Sequence, residues 1–156
     1  KDGNGLSSAS FEIYVPIEEA KTEGVMVVDG SLGYIGKPQE PVRIVFSKGK
    51  IFEIEQNVSG IKLKEHIETY NDSNMYVSSE FGMGLNSYSR CEGNCYIEDE
   101  SAYGTFHIGF GRNIALGGVH EARGHFDLVS LNPDVYADNM KIMDRGRIIV
   151  PEFHIY

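Results

Sequence analysis

Short β-type segments divided by turn residues are the feature that most restricts how this chain of 156 residues can fold. The clearest is a predicted hairpin, in which two alternating strands flank the turn Ser47-Lys48-Gly49-Lys50. The predicted strands, including a second hairpin near the end of the chain, cover residues 11–17, 24–32, 42–46, 51–55, 75–81, 105–110, 125–131, 141–143 and 147–150. This succession predicts a mostly β protein.

Helical periodicity is confined to two places. Residues 59–70 carry Leu63 and Ile67 at helical spacing behind Ser59, which is a predicted N-cap, and a shorter helical turn is predicted at 96–103. Together with the strands, this pattern predicts an α+β fold, mostly β, with one or two helices on a curved or barrel-like sheet.

Composition narrows the class of protein. The net charge is −9 and the basic residues are scattered, which argues against nucleic acid as a partner. No apolar run approaches the roughly 20 residues of a membrane span, and we expect a cytoplasmic protein with no membrane partner. Cys91 and Cys95 have no second pair at zinc-finger spacing, so free thiols are predicted.

The first ten residues suggest a division of the chain. Residues 1–10, KDGNGLSSAS, are small and polar and resemble a linker, and the chain does not begin with Met. We therefore expect residues 11–156 to form a single domain that is the C-terminal part of a longer protein.

One imidazole and two carboxylates stand where a metal site is expected. His125 and Asp127 are two residues apart on a predicted strand, so their side chains share a face. Glu80 ends another predicted strand, just before a predicted turn with Gly82 and Gly84. Glycines in such a turn let the backbone approach a ligand closely. Imidazole and carboxylate are common ligands of Zn²⁺, Mn²⁺, Co²⁺ and Fe²⁺.

Other polar residues have two interpretations each. His107 lies in the apolar segment GTFHIGFG, where it is either a core histidine bonded to a carbonyl or a metal ligand. Glu18 and Glu19 follow the first predicted strand, and because adjacent side chains diverge, at most one of them is a ligand. His66 and His154 are expected to be solvated.

Several motifs together resemble a known family. The order is PIEE, SSEFGMGLN, GTFHIGFGRN, LGG and then GHFDLV, spread over residues 14–150. This order resembles the C-terminal catalytic part of the thermophilic-type metallo-aminopeptidases, aminopeptidases T and S, whose relatives include 2,5-dihydroxypyridine dioxygenase. The resemblance implies a homodimer and a catalytic-type domain with one or two divalent metal ions, held by Glu19, Glu80, His107, His125 and Asp127.

The same resemblance implies a metal-dependent hydrolase similar to an aminopeptidase. One or two Zn, Co or Mn ions would activate water, and Glu18 or Glu19 would act as general base toward a small peptide or small-molecule substrate. Ile114 stands where these aminopeptidases carry a tyrosine, which removes a hydroxyl expected near the metals.

Two alternatives to the hydrolase remain open. The first is a non-haem Fe(II) ring-cleaving dioxygenase, in which Glu80, His125 and Asp127 hold a single ion with open positions beside it. The second is a non-catalytic domain that retains the fold.

Overall fold

A computed structural model describes residues 11–150, so the predicted linker at 1–10 and His154 lie outside the described residues. The predicted α+β, mostly β fold is confirmed. Within the described residues there are two helices, α1 (Val58–Thr69) and α2 (Tyr96–Ser101). The strands are β1 (Glu12–Pro16), β2 (Gly24–Val28), β3 (Val42–Ser47), β4 (Lys50–Ile54), β5 (Ser78–Gly84), β6 (Thr105–Gly111), β7 (His125–Leu131), β8 (Val135–Ala137), β9 (Met140–Asp144) and β10 (Arg147–Ile148).

The strands form three antiparallel sheets, of which none is closed within residues 11–150. The first sheet has the order β1-β5-β6-β7, the second β2-β3-β4 and the third β10-β9-β8. Isolated bridges, Ser31 with Val129 and Lys50 with Val77, connect the first two sheets. The predicted barrel-like sheet is therefore realised as three open sheets, of which the first two are joined by isolated bridges.

The hairpin of β3 and β4 confirms the strongest local prediction. Its two turn residues both have positive φ, 52° at Lys48 and 76° at Gly49. Positive φ at both central residues is the type I′ geometry that matches the twist of a two-residue hairpin. A Cβ at Gly49 would also lie 1.4 Å from the carbonyl oxygen of Glu19, so this position has no room for a side chain.

β5 departs from the prediction at both ends. Residues Ser73–Tyr76 form a 3-10 helix, and the strand then runs through Gly82 and Gly84, where a turn was predicted. A Cβ at Gly82 would lie 2.0 Å from Nε2 of His107, and one at Gly84 would lie 2.1 Å from the Ala102 carbonyl. These glycines therefore permit close packing inside a strand and do not form a turn.

The N-cap of helix α1 lies two residues before the predicted cap. The side-chain oxygen of Asn57 accepts a hydrogen bond from the Gly60 amide at 2.8 Å, so Asn57 is the N-cap. The predicted cap, Ser59, is instead buried, and its hydroxyl accepts a hydrogen bond of 2.9 Å from the backbone amide of Gln39. Leu63 supplies part of the fully buried face of the helix.

We expect Asn57→Ala to lower the free energy of unfolding by about 1 kcal/mol, the usual contribution of an N-cap. The variant also loses a hydrogen bond of 2.8 Å from Nδ2 of Asn57 to the Pro41 carbonyl. Urea unfolding measures the change. Asn57→Asp keeps the capping oxygen and serves as the matched control, and an alanine variant as stable as the aspartate variant would contradict the assignment.

The main core lies between the first two sheets and α1. Phe110 of β6 is stacked between Phe46 of β3 and Phe126 of β7, with ring centroids 5.9 and 5.2 Å away. Since side chains alternate along a strand, the neighbours of Phe110 and Phe126 project to the other face of the first sheet. That second face carries the polar residues described next.

Two further predictions concern the rest of the described chain. Cys91 and Cys95 are free thiols, as predicted. Of the helices within residues 11–150, neither has the length and apolar character that crossing a membrane requires.

Candidate metal centre

Three adjacent strands bring two carboxylates together over a glycine. In the strand registers, Gly109 of β6 pairs with Glu80 of β5 on one side and with Asp127 of β7 on the other. A Cβ at Gly109 would lie 2.8 Å from each of Asp127 Oδ1, Glu80 Cβ and His125 Cε1. The missing side chain on the central strand is therefore what allows the two carboxylates and His125 to converge.

The converging atoms have the spacing of a metal-ligand set. Nε2 of His125 lies 3.1 Å from Oε2 of Glu80 and 3.3 Å from Oδ1 of Asp127, and one ligand atom of each residue lies within 4.8 Å of the others. Both carboxylates are buried, whereas the side chain of His125 is 28% exposed and marks the open side. Oδ1 of Asp127 is buried without a hydrogen-bond partner, which suits a cation as the missing partner.

The orientation of His125 is set from outside the cluster. Its Nδ1 lies 2.8 Å from the Arg112 carbonyl, so Nδ1–H donates there and Nε2 faces the carboxylates. Burial lowers the pKa of His125, but the adjacent carboxylates of Asp127 and Glu80 outweigh it and raise the pKa to about 11. The carboxylates therefore favour positive charge at Nε2.

His107 lies on the buried side of the cluster, next to Glu12, which the sequence analysis did not single out. The buried ring places Nε2 at 3.6 Å from Oε2 of Glu12 and at 3.8 Å from Oε1 of Glu80, and its Nδ1 has no hydrogen-bond partner. Burial raises the pKa of Glu12. Because side chains alternate along β1, Glu12 lies on the same face as Tyr14. In the sequence, this spacing is the only indication that Glu12 faces the cluster.

Helix α2 supplies another carboxyl group that was missed. Glu100 is buried, and its burial together with the negative charge of Asp127 raises the pKa of Glu100 to about 10. The helix is anchored by the adjacent Asp99, which accepts hydrogen bonds from the Ser31 hydroxyl at 2.8 Å and from two loop amides at 2.9 Å. Glu100 therefore carries a proton beside Asp127 at neutral pH.

The structure does not bring Glu18 or Glu19 to this cluster. Glu18 forms an exposed ion pair of 2.7 Å with Lys21. Glu19 accepts a hydrogen bond of 3.1 Å from the side-chain amide of Asn113, which also donates to the Ser79 carbonyl at 3.0 Å. Because β1 ends at Pro16, both glutamates lie in the turn that follows the strand, and Glu19 holds the loop between β6 and β7.

Comparison with known proteins identifies the family. A model of the 2,5-dihydroxypyridine 5,6-dioxygenase family, NicX, matches residues 10–150. The chain is 27% identical over 148 residues to 2,5-dihydroxypyridine 5,6-dioxygenase of Pseudomonas putida, an alignment that covers 86% of this chain and 41% of the relative. A solved structure of the dioxygenase from the same species superposes with a TM-score of 0.78 at 24% identity, and covers 92% of this chain and 44% of the other.

These matches overturn the hydrolase interpretation. The resemblance to aminopeptidases T and S is not supported, and the terms aminopeptidase and metalloprotease do not describe this chain. The physical reason is that an imidazole and carboxylates on one sheet face specify metal binding, whereas the reaction depends on the surrounding residues. The chain spans less than half the length of the relatives that it matches. It belongs to the family of 2,5-dihydroxypyridine 5,6-dioxygenases.

Proposed function

We propose that this chain forms the metal-binding part of a ring-cleaving dioxygenase, in which Glu80, His125 and Asp127 hold a ferrous ion. The observation that carries the proposal is the convergence of one imidazole and two carboxylates over Gly109. The family match supports the reaction class, and the relative's name supports a hydroxylated pyridine as substrate.

The donor set fits a ferrous ion. Carboxylate oxygen and imidazole nitrogen are ligands that Fe²⁺ accepts, and three of them on one side leave open positions on the other. The unpartnered Oδ1 of Asp127 and the exposed side of His125 lie where such an ion would bind. A ferrous ion held there would supply the redox chemistry through which dioxygen and the ring react.

The surrounding residues orient the ligands and hold protons. The Arg112 carbonyl keeps Nδ1 of His125 protonated, which leaves Nε2 for the ion. Glu100 retains its proton, so Asp127 does not face a second negative charge from α2. Residue Asp99 fixes α2 through three hydrogen bonds and thereby keeps Glu100 in place.

Anaerobic loading with Fe(II), followed by addition of 2,5-dihydroxypyridine and oxygen, tests the proposal. We expect about one iron per chain, and oxygen uptake in proportion to the loss of the ring's absorbance. His125→Ala should lose both the iron and the oxygen uptake, because it removes the only nitrogen of the ligand set. The matched control is Glu18→Gln, which changes an exposed carboxylate outside the cluster and should leave both unchanged.

Two outcomes would contradict different parts of the proposal. Iron that remains stoichiometric in His125→Ala would show that the ligand assignment is wrong. Stoichiometric iron without oxygen uptake, in the presence of the dihydroxypyridine, would show that the reaction assignment is wrong.

Removal of the metal should lower the thermal stability of the protein. A ligand that binds only the folded state at about 1,000 times its Kd stabilises that state by about 4 kcal/mol. A strong chelator should therefore lower the calorimetric midpoint of the loaded protein by several degrees. Asp127→Asn weakens the site and serves as the control, and an equal shift in this variant would locate the metal elsewhere.

A further inference from the structure

Two tyrosines from separate elements form an aromatic pair. Tyr34 lies in the 3-10 helix Gly33–Ile35 and Tyr96 is the first residue of α2. Their ring centroids are 4.5 Å apart and the ring planes are tilted by 51°. Tyr34 is 55% exposed, which leaves one aromatic surface open to solvent.

The position of Tyr34 follows from the packing of the residue before it. A Cβ at Gly33 would lie 2.8 Å from the carbonyl oxygen of Asp127, so the 3-10 helix packs directly on β7 at the ligand. Glycine is required at this point both by the close approach and by its φ of 59°. Tyr34 therefore leaves the chain one residue away from a contact with the Asp127 backbone.

The position of Tyr96 follows from the geometry of α2. Tyr96 and Glu100 are four residues apart and share a face of the helix. A Cβ at Gly84 would lie 2.7 Å from the Glu100 carbonyl, so this end of α2 packs on the face of β5 that also carries Glu80. Tyr96 therefore lies one helical turn before Glu100, on the same face of α2.

The pair is held in place from behind. The ring of His66 on α1 lies 6.2 Å from that of Tyr34. A side-chain hydrogen bond with Tyr34, together with burial, raises the pKa of Tyr96, so the Tyr96 phenol is neutral near pH 7. A neutral phenol both donates and accepts hydrogen bonds, which suits the hydroxyl groups of a ring as well as its apolar face.

We propose that Tyr34 and Tyr96 form the substrate-recognition wall of this centre, against which a flat hydroxylated ring packs while its reacting edge faces the ligand cluster. This inference rests on the proposed function and adds to it the residues that select an aromatic substrate. An aromatic pair favours centroid separations of about 4.5 to 7 Å, so a ring placed on the exposed face of Tyr34 extends the existing stack.

The test measures ring binding and metal binding separately. We expect Tyr34→Leu and Tyr96→Leu each to raise the Kd for 2,5-dihydroxypyridine about tenfold, measured anaerobically by calorimetry on the Fe(II)-loaded protein. The iron content should stay the same, because neither tyrosine belongs to the ligand set. Tyr34→Phe keeps the ring and should keep most of the affinity. Tyr136→Leu, which removes an exposed tyrosine from β8, is the matched control.

Leucine variants that bind iron and the dihydroxypyridine as tightly as the wild type would overturn the inference and leave the proposed function standing. Wild-type protein that binds no iron would overturn the proposed function instead. If the leucine variants do not fold, ¹⁹F spectra of the wild-type chain with 3-fluorotyrosine decide the question. The Tyr34 resonance is assigned by its loss in Tyr34→Phe, and addition of the dihydroxypyridine should shift it. An unchanged resonance would contradict the proposal that Tyr34 belongs to the substrate-recognition wall.

Discussion

Gly109→Ala is expected to abolish stoichiometric metal binding although glycine itself ligates nothing. The added methyl group would lie 2.8 Å from Asp127 Oδ1, Glu80 Cβ and His125 Cε1, a distance that real Cβ contacts do not show. Backbone on both sides fixes Gly109, because β6 pairs with β5 and with β7 at this residue. The side chains must therefore separate, and a ligand set that has moved apart no longer meets one ion at distances near 2 Å.

Elemental analysis after anaerobic loading measures the effect, and Gly117→Ala provides the control. Gly117 has a φ of 92°, so alanine there strains the backbone, but its Cβ would have no neighbour within 4 Å. We expect Gly117→Ala to lose some stability and keep its iron. If the Gly109→Ala variant folds and retains one iron per chain, Glu80 and Asp127 do not share an ion.

Phe110→Ala is expected to lower the free energy of unfolding by about 3 to 5 kcal/mol, the usual cost of deleting a fully buried phenylalanine ring. The ring is completely buried and stacks on Phe46 and Phe126. Its removal leaves a cavity between the two sheets that a well-packed core fills only in part. Since Phe126 lies between His125 and Asp127 in β7, loss of its stacking partner should also weaken metal binding.

Urea unfolding of metal-free protein measures the loss of stability. Phe52→Ala is the matched control, because Phe52 is 75% exposed and its truncation should change stability by no more than about 0.5 kcal/mol. If Phe110→Ala does not fold, Phe110→Leu retains enough volume for the measurement. A loss for Phe110→Ala no larger than that for Phe52→Ala would contradict the described core.

The sequence predicted the elements whose signal is local. β7 has the bounds of the predicted strand, and the spacing of His125 and Asp127 put both on one face without knowledge of any partner strand. The turn at Lys48 and Gly49 was likewise predictable from its own residues. Gly82 was misinterpreted because a glycine that makes room for His107 and a glycine in a turn look the same in sequence.

Residues whose role depends on distant packing were not predictable in the same way. Glu12 reaches the centre because β1 pairs with β5, and Glu100 does so because Asp99 ties α2 to Ser31. Apart from the alternation along β1, nothing in the local sequence indicates these contacts. The hydrolase prediction was wrong, whereas the dioxygenase alternative agrees with the family, since residues that hold a metal are common to enzymes of different chemistry.

The ligands come from strands that are far apart in the chain, which determines when a metal ion can bind during biosynthesis. Glu80 leaves the ribosome well before Asp127, and Gly109 of the intervening strand emerges between them. The binding site arises only after β5, β6 and β7 have paired, and such long-range pairing is slow compared with local folding. Metal uptake therefore follows synthesis of β7, and a nascent chain that stops before Leu131 has carboxylates but no pocket that gathers them.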